Sequence, residues 1–339
     1  MSRTLIVAPA WIGDAVLSQP MLMRLKAEAT DTPIDVLAPP WTEAVYRRMP
    51  EVAATLTSPF NHGDISLWGR RRLGLTLAKN GYDAAYVLPN SFKSALVPWF
   101  ANIRTRVGWR GEKRGKLLND CRDLDESALP TMAERFAALA APANSPLAKP
   151  LPDPALRIDP ASRDAVVARL GLKLDRPVVA FCPAAEYGPA KRWPASHFAA
   201  LAAQLADRGV QIWLFGSGKD REITQSVRDL SGGLCVDLAG QTSIEEAIDL
   251  LSLTAHVVTN DSGLMHIACA VGVPVTALYG SSSPGFTPPL SPRASVIWLK
   301  DELKLACSPC FQRQCPLGHF LCMNEISPER VAGRIQLPT

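Results

Sequence analysis

Short apolar runs alternate with helical patterns along the first half of the chain. Uninterrupted apolar runs of roughly four to eight residues predict strands buried on both faces, as in a parallel sheet. Such strands are predicted at 4–8, 34–38 and 84–88, with another around Val107. Helices are predicted at Ala15–Glu28 and at Phe92–Ala101, the second bent or shortened by Pro98. Strands that alternate with helices indicate parallel pairing through right-handed crossovers.

A Pro-rich stretch separates this half from a second one with the same rhythm. Residues 142–160 carry many prolines and little hydrophobic patterning, which is typical of a linker. We therefore predict two domains, 1–155 and 156–339, with the last helix able to pack back on the first domain. In the second domain, strands are predicted at 178–182, 211–215, 256–259 and 275–279.

Two helices of the second half have clear one-sided patterns. In the helix after Pro194, apolar residues recur at the spacing of one helix face: Phe198, Leu201, Ala202 and Leu205. The helix Ser243–Leu253 is predicted to begin with a capping box formed by Ser243 and Glu246.

The length of 339 residues exceeds the size at which one hydrophobic core usually stops growing. Together with the patterning, it predicts an α/β protein with two Rossmann-like parallel-sheet domains facing an interdomain cleft, where strand carboxyl ends would bind a ligand. The longest apolar stretch, 264–279, contains Gly272 and Pro274 and is too short to span a bilayer. Since no export signal is recognised, we expect a cytoplasmic protein.

The net charge of +4 is mild, but basic residues cluster. One cluster opposes a single acid, Glu112, and contains Arg104, Arg106, Arg110, Lys113, Arg114 and Lys116. A second is the run Arg70–Arg72. Either these are solvated loops and a polar helix face, or they attract a phosphate-bearing or membrane-bound acceptor. Nucleic acid is not expected as a partner, because no recognised binding module accompanies the charge.

An acid follows the first predicted strand, in the segment Trp11-Ile12-Gly13-Asp14. Asp14 is either an N-cap favoured by the helix dipole or a general base that takes a proton from an attacking hydroxyl.

A second segment, Thr259-Asn260-Asp261-Ser262-Gly263-Leu264-Met265-His266, joins a strand to a helix. Ser262 can cap that helix, and Gly263 lets a ligand approach the backbone amides, which form an anion site suited to a pyrophosphate. Asp261 could hold sugar hydroxyls. His266 either faces the same site or is a satisfied core histidine.

Two further loops follow strands of the second half. In the segment 183–194, Lys191 either neutralises a diphosphate leaving group or is a solvated lysine. The Gly-rich segment containing Gly216, Ser217 and Asp220 lacks the third glycine of a dinucleotide fingerprint and is interpreted as a nucleotide-contacting loop.

Four cysteines and a histidine cluster near the end of the chain: Cys307, Cys310, Cys315, Cys322 and His319. Their spacing is typical of a structural zinc or iron–sulfur site, although it matches no standard zinc finger. Reduced thiols packed in a loop are the alternative. The other cysteines are interpreted as small core residues.

Taken together, the chain resembles the ADP-heptose:lipopolysaccharide heptosyltransferases over nearly its whole length. The resemblance rests on blocks at 9–14, 86–95, 108–112, 191–194, 260–266 and 282–289. It implies a GT-B fold and inverting transfer of heptose from ADP-heptose onto the first heptose of the lipopolysaccharide inner core. It also implies a monomer in peripheral contact with the inner face of the inner membrane, and a reaction that requires no cofactor.

The same resemblance assigns roles to residues. It implies that Asp14 is the base, that Lys191, Ser262 and Gly263 contact the diphosphate, and that Asp261 holds the donor sugar. The remaining donor-site residues would be His266, Gly216, Ser217 and Asp220, and the acceptor-site residues Asn90, Ser91, Lys93 and Arg110.

Three alternatives remain open from sequence. The first is another transferase of the family, using a different acceptor or sugar. The second is a nucleotide-sugar epimerase of the same architecture, which would need no acceptor. The third is a two-domain protein that binds a small molecule without reacting.

Overall fold

The computed structural model of the protein describes residues 3–61 and 63–337. The chain divides into two compact units, Met1–Pro154 and Ala155–Thr339. The outer limits of the predicted domains, residues 1 and 339, lie outside the described residues. Each unit is built on one six-stranded sheet in which every pairing is parallel. The predicted α/β class with two parallel sheets is confirmed.

The first sheet has the order β3-β2-β1-β4-β5-β6. Its strands are β1 (Thr4–Val7), β2 (Ile34–Ala38), β3 (Val52–Thr57), β4 (Ala84–Val87), β5 (Thr105–Trp109) and β6 (Asp120–Arg122). Strand order reverses between β1 and β4, so the loops after these two strands diverge to opposite sides. In open α/β sheets a crevice forms at such a point, outside the strand carboxyl ends.

The helices of the first unit differ in detail from those predicted. They are α1 (Ile12–Leu17), α2 (Gln19–Glu28), α3 (Pro40–Arg47), α4 (Leu67–Leu77), α5 (Leu96–Phe100) and α6 (Met132–Ala140). The single helix predicted at 15–28 is broken at Ser18, because Pro20 lacks the N–H that a continuous helix needs. The Ser18 hydroxyl bonds the Ala15 carbonyl and the Tyr46 hydroxyl instead. The helix predicted at 92–101 starts as a 3-10 turn and becomes α-helical only at Leu96.

The second sheet has the order β12-β11-β10-β7-β8-β9. Its strands are β7 (Val178–Cys182), β8 (Gln211–Leu214), β9 (Cys235–Asp237), β10 (His256–Asn260), β11 (Val275–Tyr279) and β12 (Ala294–Trp298). The helices are α7 (Pro160–Arg169), α8 (Ala195–Ala206), α9 (Arg221–Leu230), α10 (Ile244–Leu251), α11 (Gly263–Ala270), α12 (Leu321–Asn324) and α13 (Pro328–Ala332). Here the order reverses between β7 and β10.

The core of the second unit lies between this sheet and helix α8. The predicted apolar face of α8 is confirmed, since Phe198, Leu201, Ala202 and Leu205 are all buried. The ring of Trp193 packs edge-on against Phe198 at a centroid distance of 4.7 Å, and its indole N–H donates to the carbonyl of Ile326. Helix α13 packs on the same helix α8. The chain end is thereby joined to the segment that leads out of β7.

No helix within residues 3–61 and 63–337 is both long and apolar enough to cross a bilayer.

The capping box predicted for α10 is confirmed and can be tested. The amide of Glu246 donates to the Ser243 hydroxyl at 3.1 Å, and the amide of Ser243 donates to the Glu246 carboxylate at 2.8 Å. We expect Ser243→Ala to lower the free energy of unfolding by about 1 kcal/mol, because a helix N–H loses its acceptor. Urea denaturation measures the change, with Ser145→Ala in an exposed loop as the control. An equal effect of the two substitutions would contradict the capping role.

Candidate active site

An ion pair marks the point where the order of the second sheet reverses. Lys191 lies in the loop after β7, and Asp261 follows the neighbouring strand β10 directly. The Lys191 ammonium is 2.6 Å from the Asp261 carboxylate, and their side chains are 18% and 5% exposed. Because an ammonium has three donors, the pair retains the capacity to bind an anionic ligand. The aromatic ring of Tyr187 lies 5.3 Å from the same ammonium.

A buried amide holds this loop in place. The Asn260 side chain accepts from the backbone N–H of Trp193 at 3.0 Å and donates to the carbonyl of Pro183 at 2.7 Å. It therefore joins the end of β10 to both ends of the loop 183–194, which carries Lys191. Asn260 was not predicted to have a role of its own, although its place between a strand and Asp261 was a usable signal.

Helix α11 begins beside Asp261. Ser262 occupies the predicted N-cap position, and its side chain makes no capping hydrogen bond within the described residues. Its hydroxyl lies 3.4 Å from that of Thr259. The backbone amides of Gly263 and Leu264, the first two of the helix, carry the positive end of the helix dipole, and that of Met265 donates to the carbonyl of Ser262 at 3.2 Å. This arrangement suits a phosphate group.

His266 is buried one turn into α11. Its pKa is lowered to about 4, mainly by burial; the negative charge of Asp261 opposes this shift and the positive charge of Lys191 adds to it. Its Nδ1 atom has no hydrogen-bond partner among the residues that the structure describes. His266 is therefore neutral near pH 7 and lies within electrostatic range of the ion pair.

The Gly-rich loop after β8 lies at the same sheet edge, since β8 pairs with β7. The Asp220 carboxylate accepts from the Ser217 amide at 2.8 Å and the Ser217 hydroxyl at 2.7 Å. A Cβ atom at Gly216 would come within 2.9 Å of Asp220, so this position requires glycine. These side chains stabilise the loop itself, and they hold its backbone at the edge where a nucleotide could bind.

In the first unit, Asp14 is the third residue of α1 and is half-buried. The N-cap position belongs to Trp11, so the alternative that Asp14 is an N-cap is wrong. Its carboxylate still lies in the first turn, where the helix dipole favours negative charge. Burial raises the pKa of Tyr46, and the charge of Asp14 raises it further.

The predicted acceptor residues Asn90, Ser91 and Lys93 follow β4, the strand that neighbours β1. Asn90 is exposed, and Ser91 and Lys93 are half-buried. The backbone N–H of Phe92 donates to the carboxylate of Glu112 at 2.8 Å, which joins this loop to the one after β5.

The basic cluster around Glu112 contains two arginines with opposite environments. Arg110 is exposed and pairs with Asp123 at 2.5 Å. Arg114 is 0% exposed, and its guanidinium donates to the Asn90 side chain at 3.0 Å and to the carbonyls of Trp109 and Pro89. Burial lowers the pKa of Arg114 to about 10. The interpretation of the whole cluster as solvated charge or as a long-range field is therefore wrong for Arg114, which instead bonds the loop that carries Asn90.

The second basic run is divided in the same way. Arg70 is buried, donates to the carbonyls of Ile65 and Asp64, and stacks on the ring of Phe60 at 4.1 Å. Arg71 and Arg72 are exposed.

The clustered cysteines lie in the second unit, and all are reduced. One pocket is lined by Cys307, Cys310, Cys315, Cys322 and His319. Burial and then the nearby groups of the other three cysteines raise the pKa of Cys322 to about 11. Within the described part of the chain, no three His, Cys, Asp or Glu side chains are arranged to hold a metal ion.

The structure thus brings Lys191, Asp261, Ser262, Gly263 and His266 together at one sheet edge, with the 216–220 loop beside them. Asp14 and the 90–93 loop follow the two strands at the reversal point of the first sheet. Two Rossmann-like units, one with a cation and a helix N-terminus at its reversal point, fit the GT-B class of glycosyltransferases. Residues 70–321 match glycosyltransferase family 9 (heptosyltransferase). The chain belongs to that family and is a glycosyltransferase.

Individual relatives make the match more specific. Lipopolysaccharide heptosyltransferase 2 of Salmonella typhimurium is 47% identical, covering 97% of this chain and 96% of that protein. Lipooligosaccharide heptosyltransferase 2 of Haemophilus ducreyi is 42% identical, with 98% of each covered. The solved ADP-heptose lps heptosyltransferase II of E. coli has a TM-score of 0.86 and 42% identity, covering 98% of this chain and 97% of that chain. The resemblance inferred from sequence, including the GT-B class, is confirmed.

The two buried histidines of this unit predict how stability depends on pH. Burial lowers the pKa of both His266 and His256 to about 4 from an ordinary value of 6.5. The unfolded chain then binds more protons, so their contribution to stability is complete above pH 6.5 and is lost as the pH falls toward 4. We expect a loss on the order of 2 kcal/mol for each histidine by about pH 5.

Urea denaturation at pH 7 and at pH 5 measures this loss. His266→Gln should reduce the difference between the two pH values, whereas His197→Gln, at a half-buried position on α8, should preserve it. A wild-type free energy of unfolding that is equal at the two pH values would show that these histidines are not held neutral.

Proposed function

We propose that this protein transfers a heptose from ADP-heptose onto the first heptose of the lipopolysaccharide inner core, with inversion at the anomeric carbon. The observation that carries the proposal is the Lys191–Asp261 ion pair beside the start of α11. A cation next to free helix amides is what a departing diphosphate requires. The relatives named above, whose names specify heptosyltransferase 2 or II, support the choice of sugar and acceptor over an epimerase or another transferase of the family.

In this proposal the donor binds the second unit. Lys191 and the amides of Ser262 and Gly263 bind the diphosphate and stabilise the charge that develops as ADP leaves. Asp261 orients Lys191 and accepts from heptose hydroxyls. The loop with Gly216, Ser217 and Asp220 contacts the nucleoside, and neutral His266 lines the site from within α11. Because the leaving charge meets a lysine and helix amides, the reacting atoms need no metal ion.

The acceptor is proposed to bind the first unit. Asn90, Ser91, Lys93 and Arg110 would contact the core sugars and their phosphates. Asp14 would remove the proton from the attacking hydroxyl as the new glycosidic bond forms and the bond to ADP breaks. The proposal requires that this hydroxyl contact both Asp14 and the anomeric carbon of the bound donor.

Peripheral contact with the inner membrane is part of the proposal and is supported by α4. This helix exposes Trp68, whose side chain is 76% exposed, together with Leu75, Arg71 and Arg72. Exposed tryptophan and leucine beside cations are typical of surfaces that bind anionic lipid headgroups. We further propose that the protein acts as a monomer on the cytoplasmic side of that membrane.

Replacing the proposed base tests the chemical step. We expect Asp14→Asn to lower kcat by about 10²-fold or more, the scale of lost general-base catalysis, with donor affinity nearly unchanged. Mass spectrometry of a defined core acceptor incubated with ADP-heptose measures transfer. Asp31→Asn, an exposed acid of the same unit, is the control and should be fully active. Near-normal turnover of Asp14→Asn would remove Asp14 from the mechanism.

Replacing Lys191 tests the donor site. We expect Lys191→Met to weaken binding of ADP-heptose and ADP by roughly 10-fold or more, since a charge-assisted hydrogen bond to phosphate is lost. Calorimetric titration with ADP measures affinity without turnover. Lys173→Met is the control: it removes the same charge from an exposed loop of the same unit, away from the site, and should leave ADP affinity unchanged. Lys191→Met leaves Asp261 buried without its partner, which could unfold the protein. The double variant Lys191→Met/Asp261→Asn removes that charge as well. Normal ADP binding by the double variant would show that the assigned role of Lys191 is wrong.

A further inference from the structure

A group of reactive side chains lies outside the proposed donor site. Cys307, Cys310, Cys315 and Cys322 line one pocket with His319, near the end of the second unit. Two of these cysteines come from a Cys-x-x-Cys turn, one from the loop after it and one from α12. Four thiols that line one pocket from three separate segments are a set of ligands chemically suited to a tetrahedral metal ion.

The chain folds tightly after Cys315. The backbone N–H of Gly318 donates to the carbonyl of Cys315 at 3.2 Å. The backbone then turns through Gly318 at φ +70° and Phe320 at φ +51°. This tight turn carries Cys315 and His319 to the lining of the same pocket, which α12 completes with Cys322.

His319 is fixed in a way that separates it from the four thiols. Its Nδ1 accepts the backbone N–H of Leu321 at 3.0 Å, so in the neutral ring the proton lies on Nε2. That Nε2 is 3.9 Å from the sulfur of Cys307, and an N–H there donates to sulfur. His319 is therefore suited to hydrogen-bond a ligand and not to be one.

We propose that Cys307, Cys310, Cys315 and Cys322 bind one thiophilic divalent cation, Zn²⁺ or Fe²⁺, in a tetrahedral site. Each thiol that binds releases its proton to solvent, and no electron is transferred. The described side chains surround the pocket without being at metal-bonding distances, so binding must draw the sulfur atoms inward. Apart from α12, the segment that carries them is built of turns, which can make this adjustment.

The cysteine segment packs against the loop that carries Lys191. The Tyr187 hydroxyl donates to the carbonyl of Phe311 at 2.6 Å, and Arg313 donates to the carbonyl of Tyr187 at 2.6 Å. The backbone N–H of Ala190 donates to the carbonyl of Arg313 at 3.1 Å. A Cβ atom at Gly188 would lie only 2.4 Å from that carbonyl, so the two segments are in direct backbone contact.

A bound ion would therefore hold the cysteine segment in place, and this segment is the surface against which the Lys191 loop packs. This second part of the proposal rests on the proposed function, because it assumes that Lys191 binds the diphosphate. The ion is structural and takes no part in the transfer step.

Metal analysis of protein purified without a histidine tag tests the site independently of activity. We expect about one equivalent of zinc or iron for each chain in the wild type, with no acid-labile sulfide. Cys310→Ser and Cys322→Ser should each lose the metal. His319→Gln should retain it, as should Cys121→Ser, which removes a half-buried thiol of the first unit. Metal retained in both ligand variants, or acid-labile sulfide in the wild type, would overturn the assignment.

Titration of the metal-free, reduced wild-type chain with Co²⁺ removes any dependence on variant folding. We expect intense thiolate-to-cobalt absorption that saturates at about one equivalent and is displaced by Zn²⁺. If no such absorption develops, the four cysteines do not form a metal site.

Binding of ADP to metal-loaded and metal-free protein then tests the link to the Lys191 loop. We expect the Kd for ADP to rise several-fold on metal removal and to recover when Zn²⁺ is restored. An unchanged Kd in protein shown to bind metal would refute the bracing of the loop and leave the metal site intact. Weak ADP binding by both forms would instead contradict the proposed donor site.

Discussion

The proposed site of the second unit depends on one cation, the Lys191 ammonium, which is largely shielded from water. A lysine whose head is mostly removed from water needs a nearby anion, and Asp261 supplies it at 2.6 Å. The two residues can meet only because the strand order reverses between β7 and β10, which are hydrogen-bonded neighbours although they are far apart in sequence. The helix that follows Asp261 adds its own positive end. Sheet topology thus determines where the positive potential of the unit is concentrated.

Both units hold their proposed ligand loops with a buried polar side chain. Asn260 bonds the two ends of the Lys191 loop, and Arg114 bonds the loop that carries Asn90. Such groups are costly to bury unless their hydrogen bonds are made, so each can be accommodated in one loop conformation only. Arg114 satisfies its guanidinium with carbonyls and an amide, and this explains why its charge does not form part of a surface field.

The hydrophobic pattern of the sequence was sufficient to predict the central strands and the blocks of polar residues that follow them. Strands such as 178–182 are uninterrupted apolar runs because helices cover both faces. The strands β3, β6, β9 and β12 were not predicted, since they lie at the sheet edges, where most of their residues are exposed or half-buried. Arg114 could not be separated from its basic neighbours for a related reason. Burial of a cation is decided by tertiary contacts, and no local periodicity records it.

The pairing of Lys191 with Asp261 has a consequence for the proposed reaction. Without the acid, a flexible lysine would have to be ordered when the diphosphate binds, and this loss of conformational entropy would weaken binding. With the acid, the ammonium is already positioned, but its net field is reduced by an adjacent negative charge. The arrangement is therefore better suited to stabilise the negative charge that appears as the bond to ADP breaks. It is less suited to bind the diphosphate tightly before the reaction. In the proposed reaction, which releases ADP at each turnover, this balance is the useful one.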